Sequence, residues 1–151
     1  MKHVIIGAGP AGVIAAETLR AADARAEITL IGDEPEPPYS RMAIPYVLSG
    51  IIDETGTYLR KDEGYFDNLG VEVVQGRVEK VNPGKCSVTV NGGNVNYDRL
   101  LIASGSRAVK PPISGLDLPG IHHCWTLEDS RGISDLAKEG AKVVLRRCFN
   151  E

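Results

Sequence analysis

The chain is poor in aromatic residues, with two Phe, five Tyr and one Trp among 151, and it has no run of basic side chains. Seventeen Lys and Arg stand against 20 Asp and Glu, a formal net charge of -3. A nucleic-acid groove is therefore not expected, since phosphate neutralisation needs clustered cations and base stacking needs exposed rings. Three cysteines, Cys86, Cys124 and Cys148, are far apart and odd in number. That argues against a secreted disulfide framework and for a reducing cytoplasm. No apolar run approaches a membrane span, so no membrane partner is expected. Lys2 and the apolar stretch after it superficially resemble a secretory leader. Its glycines, Glu17 and the lack of a convincing cleavage site favour folded structure instead. Internal repeats and low-complexity tracts are also missing. What remains is an ordinary globular composition, 42% hydrophobic, in a chain of single-domain length.

The richest information lies in the first 33 residues. Val4-Ile5-Ile6 is a short β-prone apolar run, Gly7-Ala8-Gly9-Pro10-Ala11-Gly12 follows it, and Val13 to Arg20 carries apolar residues at helical spacing. Ile28-Thr29-Leu30-Ile31 gives a second strand, and an acid, Asp33, stands about 20 residues past the last glycine, as in a dinucleotide-binding βαβ unit. Gly7 permits the tight turn out of the strand, Gly9 lets a pyrophosphate approach bare backbone, and Gly12 lets the helix lie close to the sheet, helped by the small Ala16. Amides at the helix start lack intrahelical partners and sit at the positive end of the dipole, so a diphosphate is what they can bind. Asp33 would accept hydrogen bonds from an adenosine ribose and disfavour a phosphorylated one.

Beyond this unit, Glu34 to Arg41 is a proline-stiffened loop that on composition alone reads as a surface connection. Met42 to Ser49 predicts a short helix interrupted near Pro45, and Lys61 to Leu69 another, closed by Gly70. Val71 to Val74 predicts a short strand. Arg77 to Val81, Ser87 to Val90 and Asn94 to Tyr97 predict an antiparallel meander, with Asn91-Gly92 a strong hairpin signal. Leu100 to Ala103 is continuously apolar, as a central parallel strand is, and runs into small residues Ser104-Gly105-Ser106. Pro111 starts a loop to Thr126, the N-cap of a helix Leu127 to Lys138, and Lys142 to Leu145 begins another strand. His122-His123-Cys124 is read as a strand rather than a metal site, because adjacent side chains rarely converge on one ion and no fourth ligand is suitably spaced. Cys86 is read as a small buried hydrophobe, and Trp125 as packing its loop onto the domain.

Taken together, GAGPAG, ITLIGDEPEPPYSR, the three-strand meander and YDRLLIASGSRAVKPPISGLDLPGIHHCWTLEDS resemble the N-terminal part of the pyridine nucleotide-disulfide oxidoreductase superfamily. The resemblance is nearest to the branch with ferredoxin and rubredoxin reductases and the nitrite reductase large subunit. It implies a Rossmann-like α/β FAD-binding domain over residues 1–140, with a parallel sheet, helices on both faces and a three-stranded antiparallel meander. It implies that Gly7, Gly9, Pro10, Ala11 and Gly12 hold the FAD pyrophosphate, and that Asp33 with Glu34 holds the adenosine ribose. It further implies that Arg41 of the Pro-Tyr-x-Arg loop contacts the cofactor, that the backbone of Val78 faces the adenine, and that Ala103-Ser104-Gly105 passes close to FAD. NAD(P)H is the implied electron donor and a redox protein the implied acceptor.

Two departures narrow the chemistry. The redox cysteine of the coenzyme A disulfide reductases and NADH oxidases falls on Met42, and a thioether forms neither thiolate, mixed disulfide nor sulfenic acid. There is no C-x-x-C or C-x-x-x-x-C pair either, so disulfide reduction by this segment is excluded. Tyr46 stands where ferredoxin reductases carry a lysine five residues after the arginine. At the other end, Arg146 to Glu151 follows the strand Val143-Val144-Leu145 and has no glycine for a second phosphate-binding turn. Residues 141–151 are thus expected to be a truncated start of the NAD(P)H-binding domain, and the returning piece of the flavin domain is expected to be lacking. A homo-oligomer, or completion by another chain, follows from that expectation. Two other readings stand beside the flavoprotein one: a non-catalytic nucleotide-binding or interaction fragment, and a self-contained NAD dehydrogenase, for which no catalytic His or Tyr-Lys pair is found.

Overall fold

The computed structural model describes residues 1–145; Cys148 and the glycine-free Arg146 to Glu151 segment lie outside the described residues. In chain order the elements are β1 (Lys2–Ile6), α1 (Pro10–Ala22), β2 (Glu27–Gly32), α2 (Ile44–Leu48), α3 (Tyr65–Leu69), β3 (Val71–Gln75), β4 (Val78–Asn82), β5 (Ser87–Val90), β6 (Gly93–Asn96), β7 (Arg99–Ile102) and α4 (Leu127–Leu136). The chain divides into two compact units, one of residues 1–40 and 58–105, the other of residues 41–57 and 106 onward.

The first unit is built on a parallel sheet of order β3-β2-β1-β7. Val4 of β1 pairs with Thr29 of β2 and Leu100 of β7, and Leu30 of β2 pairs with Val73 of β3. Alternation along each strand decides what covers each face. Ile5, Ile28 and Leu30 point to one side, where they pack with Val13 and Ala16 of α1 and with Phe66 and Leu69 of α3. Val4 and Ile31 point to the other and pack with Val88 and Val90 of the antiparallel sheet β4-β5-β6. Each such fully buried aliphatic side chain contributes roughly 1.5–3 kcal/mol. The fold class is the expected one. Within this unit, though, the second face is covered by the meander and not by helices. Asn91 and Gly92 both have positive φ, 50° and 73°, the backbone that a two-residue hairpin matching strand twist requires.

The second unit holds α2 and α4 with Ile44, Thr57, Leu127 and Ser130 buried. Pro45 sits in the first turn of α2, where its missing N–H costs nothing, and a 3₁₀ turn over Arg41–Ala43 leads into it. Thr126 caps α4 as expected, accepting from the Asp129 N–H while the Asp129 carboxylate accepts from the Thr126 N–H at 2.9 Å. Arg131 of α4 forms a two-pronged pair with Glu54, at 2.6 and 3.0 Å.

Several expected elements differ. The helix expected over Lys61 to Leu69 is only α3, because Gly64 adopts a left-handed conformation that interrupts any helix through it. Of the strand expected over Leu100 to Ala103, Leu100 to Ile102 belong to β7, which lies at the edge of the described sheet, not its centre. No strand forms over His122 to Cys124 or Lys142 to Leu145, which have no pairing partner among the described residues. The second helix over Leu127 to Lys138 stops at Leu136. Cys86 is exposed, not buried: it ends the Pro83–Lys85 turn with φ 47°, which carries its thiol away from the meander core.

Candidate functional site

Of the three glycines in the turn, close approaches within the protein explain two. As the chain leaves β1, the Gly7 N–H donates to the Ile31 carbonyl at 2.7 Å, and Gly7 has φ +116°. A Cβ on Gly7 would lie 2.2 Å from the Ala103 carbonyl oxygen, so the exits of β1 and β7 are pressed together. A Cβ on Gly12 would lie 1.9 Å from the Gly7 carbonyl oxygen and 3.2 Å from Leu30 Cδ1, which fixes α1 against its own entrance and against β2. Gly9 is different. Its φ of -80° is open to any residue, and a Cβ there would meet nothing within 4 Å. The missing side chain leaves bare peptide facing open space. It does so at the N-terminus of α1, where Pro10 and Ala11 are exposed, no side chain caps the helix and no acid stands in the first turn. The positive end of that helix is thus unmatched by the unit's own capping side chains, as an anion site requires.

Beside it lies a concavity of about 260 Å³ at the carboxyl ends of β1, β2 and β3. Ala8, Gly32, Glu34, the prolines Pro35, Pro37 and Pro38, and Val74 and Gln75 line it. Gly32 is required there, because a Cβ would come within 2.8 Å of Ala8 Cβ, and its carbonyl accepts from the Gly76 N–H at 2.7 Å. Glu34 is held by the Tyr39 hydroxyl, which donates to its Oε2. Tyr39 is itself buried; it forms a β-bridge with Tyr58, and next to it the Pro38 carbonyl accepts from the Leu59 N–H at 2.9 Å. Arg60 then anchors this segment to α1, its Nε and second terminal nitrogen donating to the two Glu17 oxygens at 2.6 and 2.8 Å, with the Tyr65 hydroxyl donating at 2.8 Å. The Arg60 hydrogen bond holds the Glu17 carboxyl below its ordinary range, overcoming partial burial, and the Tyr65 hydroxyl assists. Arg60 is pushed upward in turn by the same bond.

Of the residues expected at the site, Gly7, Gly9, Gly12 and Ala103 surround the turn, and Glu34 lines the concavity. Ala103 is fixed by its N–H donating to the Ile6 carbonyl at 2.7 Å; Ser104 is exposed, and Gly105 has φ +68° with open space around it. Asp33 is exposed and does not line the concavity, and Val78 packs half-buried against the second core cluster. Arg41 belongs to the second unit, where its guanidinium lies 5.3 Å from the centre of the Trp125 ring. The Trp125 indole N–H donates to the Ser106 carbonyl at 3.1 Å, a bond within the second unit. Met42 is highly exposed. Sequence reasoning missed Gly32, Tyr39 and Gln75. Gly32 had a signal, a glycine ending an apolar strand opposite the fingerprint; Tyr39 and Gln75 had none beyond their letters.

Residues 1–145 match the family described as pyridine nucleotide-disulphide oxidoreductase. The chain is 37% identical over 153 residues to an NADH oxidase of Methanocaldococcus jannaschii, covering 95% of this chain and 34% of that protein. It is 34% identical over 147 residues to a probable ferredoxin reductase, CtmF, of Castellaniella defragrans, covering 95% and 36%. Among solved structures it resembles the NAD-dependent persulfide reductase from A. fulgidus with TM-score 0.86 and 32% identity, over 94% of this chain and 28% of that one. The chain thus spans about a third of the length of the curated relatives it matches. No helix among the described residues is long and apolar enough to cross a membrane. Fold, glycine turn and sequence match agree, and the chain belongs to the pyridine nucleotide-disulphide oxidoreductase family.

Proposed function

We propose that the chain is the FAD-binding portion of an NAD(P)H-dependent flavoprotein oxidoreductase that delivers electrons to a redox protein. The observation that carries this reading is Gly9: a glycine that no packing contact demands, open to solvent at an uncapped helix N-terminus. Its neighbours fit the group. The turn offers backbone donors to a diphosphate, and the adjoining concavity offers small Ala8 and Gly32 with the Glu34 carboxylate to an adenosine.

In this reading residues 1–140 form the flavin-binding part and residue 141 begins the NAD(P)H-binding one. Gly7, Gly9, Pro10, Ala11 and Gly12 hold the pyrophosphate, and Asp33 and Glu34 take the ribose. Val78 faces the adenine through its backbone, while Ala103, Ser104 and Gly105 approach the cofactor and Arg41 supplies a cation to it. When bound, FAD accepts hydride from NAD(P)H and passes electrons on; the protein contributes binding, orientation and electrostatics. Ferredoxin reductases among the relatives support a redox-protein acceptor. A cytoplasmic setting, and assembly as a homo-oligomer or with a completing chain, belong to the same proposal.

The test is an absorption spectrum of the purified chain before and after FAD addition and desalting, followed by NADH. Retained flavin bands support the reading, and bleaching by NADH extends it to the electron donor. A chain that leaves the column colourless overturns the flavin assignment and leaves a non-catalytic interaction fragment.

A further inference from the structure

We propose that Asn91 is a site of spontaneous deamidation gated by the fold: its hairpin and the neighbouring Gln75–Gly76 segment hold it unreactive, and opening of the β5–β6 tip releases it. Asn91 is the one asparagine in the chain that a glycine follows. Glycine has no Cβ to obstruct the approach of its backbone nitrogen, so this pair closes the imide ring most readily. The inference stands apart from the nucleotide reading above.

The reaction needs only water. The Gly92 nitrogen gives up its proton to solvent and attacks Cγ of Asn91; the Cγ–Nδ2 bond breaks and ammonia leaves. Water then opens the cyclic imide at either carbonyl, giving aspartate or isoaspartate. In the folded chain the geometry withholds that attack. Val90 pairs with Gly93, so Asn91 and Gly92 are the whole loop, and their φ values of 50° and 73° are those of a type I′ turn. At the ψ of about +30° that such a turn gives its first residue, the Gly92 nitrogen lies across the Cα–C bond from the Asn91 Cβ. Ring closure needs the two eclipsed, a rotation that the paired strands oppose. The side chain is held as well. Its Nδ2, which carries the nitrogen that must leave, donates to the Gln75 carbonyl at 2.8 Å. A Cβ on Gly76 would come within 2.5 Å of both Nδ2 and Oδ1, so the amide occupies the space that this glycine leaves. Gly76 is fixed in turn by its N–H, which donates to the Gly32 carbonyl at 2.7 Å. All of these residues belong to one unit. Asn91, Gly92 and Gly93 are nonetheless exposed, so the tip can open without uncovering a buried side chain. Reaction then makes the opening permanent. Either product lacks the Nδ2 donor and sets a carboxylate before the Gln75 carbonyl, and isoaspartate adds a backbone carbon to a two-residue turn.

The test incubates the full chain at one pH and temperature, in buffer and in urea, and follows each asparagine by peptide mass spectrometry. Conversion of Asn91 in urea is expected to be at least about tenfold faster than in buffer, because the reactive conformation is a minor state of the fold. In urea Asn91 should convert ahead of Asn68, Asn94 and Asn96, which leucine, valine and tyrosine follow. Gly76→Ala puts a methyl group where the amide sits and should speed conversion in buffer by about threefold or more. Asn91→Asp stands in for one product and should raise hydrogen exchange of the Gly76 amide by about fivefold, the scale of one lost hydrogen bond; this measurement decides the brace if Gly76→Ala does not fold. Equal rates in buffer and in urea would overturn the gating, and an Asn91 that lags the other asparagines in urea would overturn the site. A folded Gly76→Ala chain no faster than wild type, or Gly76 exchange unchanged in Asn91→Asp, would overturn the hold by the Gln75–Gly76 segment.

Discussion

Glycine 9 and glycine 7 stand two positions apart and answer to different demands, which makes them separable by substitution. Gly7→Ala drives a Cβ to 2.2 Å from a backbone oxygen at φ +116°, so it should destabilise the chain by roughly 3 kcal/mol or more. Gly9→Ala meets nothing, and its stability should stay within about 1 kcal/mol of wild type. Its affinity for FAD should nevertheless fall at least about tenfold, because the methyl group occupies the space that a phosphate needs. Thermal melts and flavin titrations of both variants check this pair; a Gly9→Ala chain with unchanged FAD affinity would remove the pyrophosphate from this turn. Glu17 makes a second residue-scale prediction. Its carboxyl is held down by Arg60 in the folded chain, so the folded state binds that proton less readily than the unfolded one. The stabilisation is present above the ordinary carboxylate range and is lost as pH falls through the lowered folded value. Urea midpoints of wild type and Glu17→Gln should differ most near pH 7 and converge in acid. A gap that is constant with pH would contradict the assignment.

At the scale of elements, α4 is the plainest case of sequence writing its own boundary. Thr126 and Asp129 cap it reciprocally, and Thr126→Ala should cost about 1 kcal/mol, seen as faster amide exchange in the first turn of α4. The same local logic made β1, α1 and β2 legible: apolar period, glycine spacing and a polar return all lie within neighbouring residues. The meander was legible too, because Asn91-Gly92 carries its turn type in its own backbone preference. Legibility ended where tertiary pairing decides. Leu100 to Ala103 has the composition of a central strand, yet sheet order, which no local signal encodes, puts β7 at an edge. Val143 to Leu145 has strand composition and no partner strand among the described residues. Gly64 shortened α3 because a left-handed glycine stops a helix, whereas the same letter inside α1, Gly12, is tolerated by close packing. In the candidate site the fingerprint glycines Gly7, Gly9 and Gly12 were readable from spacing alone, whereas Gly32 was not. The Tyr39 hold on Glu34 was not, since it depends on how the 58–60 segment returns to α1.

For the chain as a whole, the consequence of that edge position is association. Among the described residues no strand pairs with the outer side of β7, and Leu101 and Ile102 are 42% and 61% exposed, one on each face of the strand. A flat apolar edge without a charged or proline guard is a template for another strand. Arg99 guards only its first position. The net charge of -3 supplies little repulsion between copies at physiological salt, where screening acts within about 8 Å. The purified chain should therefore scatter light as more than one copy at micromolar concentration. Ile102→Lys adds a charge at an exposed edge position and should shift the scattering mass toward a single chain while moving stability by no more than about 0.5 kcal/mol. FAD binding, measured on the same sample, then tells whether association and the glycine turn are linked. If Ile102→Lys is monomeric and keeps its flavin affinity, β7 is an association edge alone; if the affinity falls with the mass, a second copy is helping to hold the Ala103 to Gly105 segment that follows this strand. A wild-type chain that scatters as one copy at micromolar concentration would overturn the prediction of association.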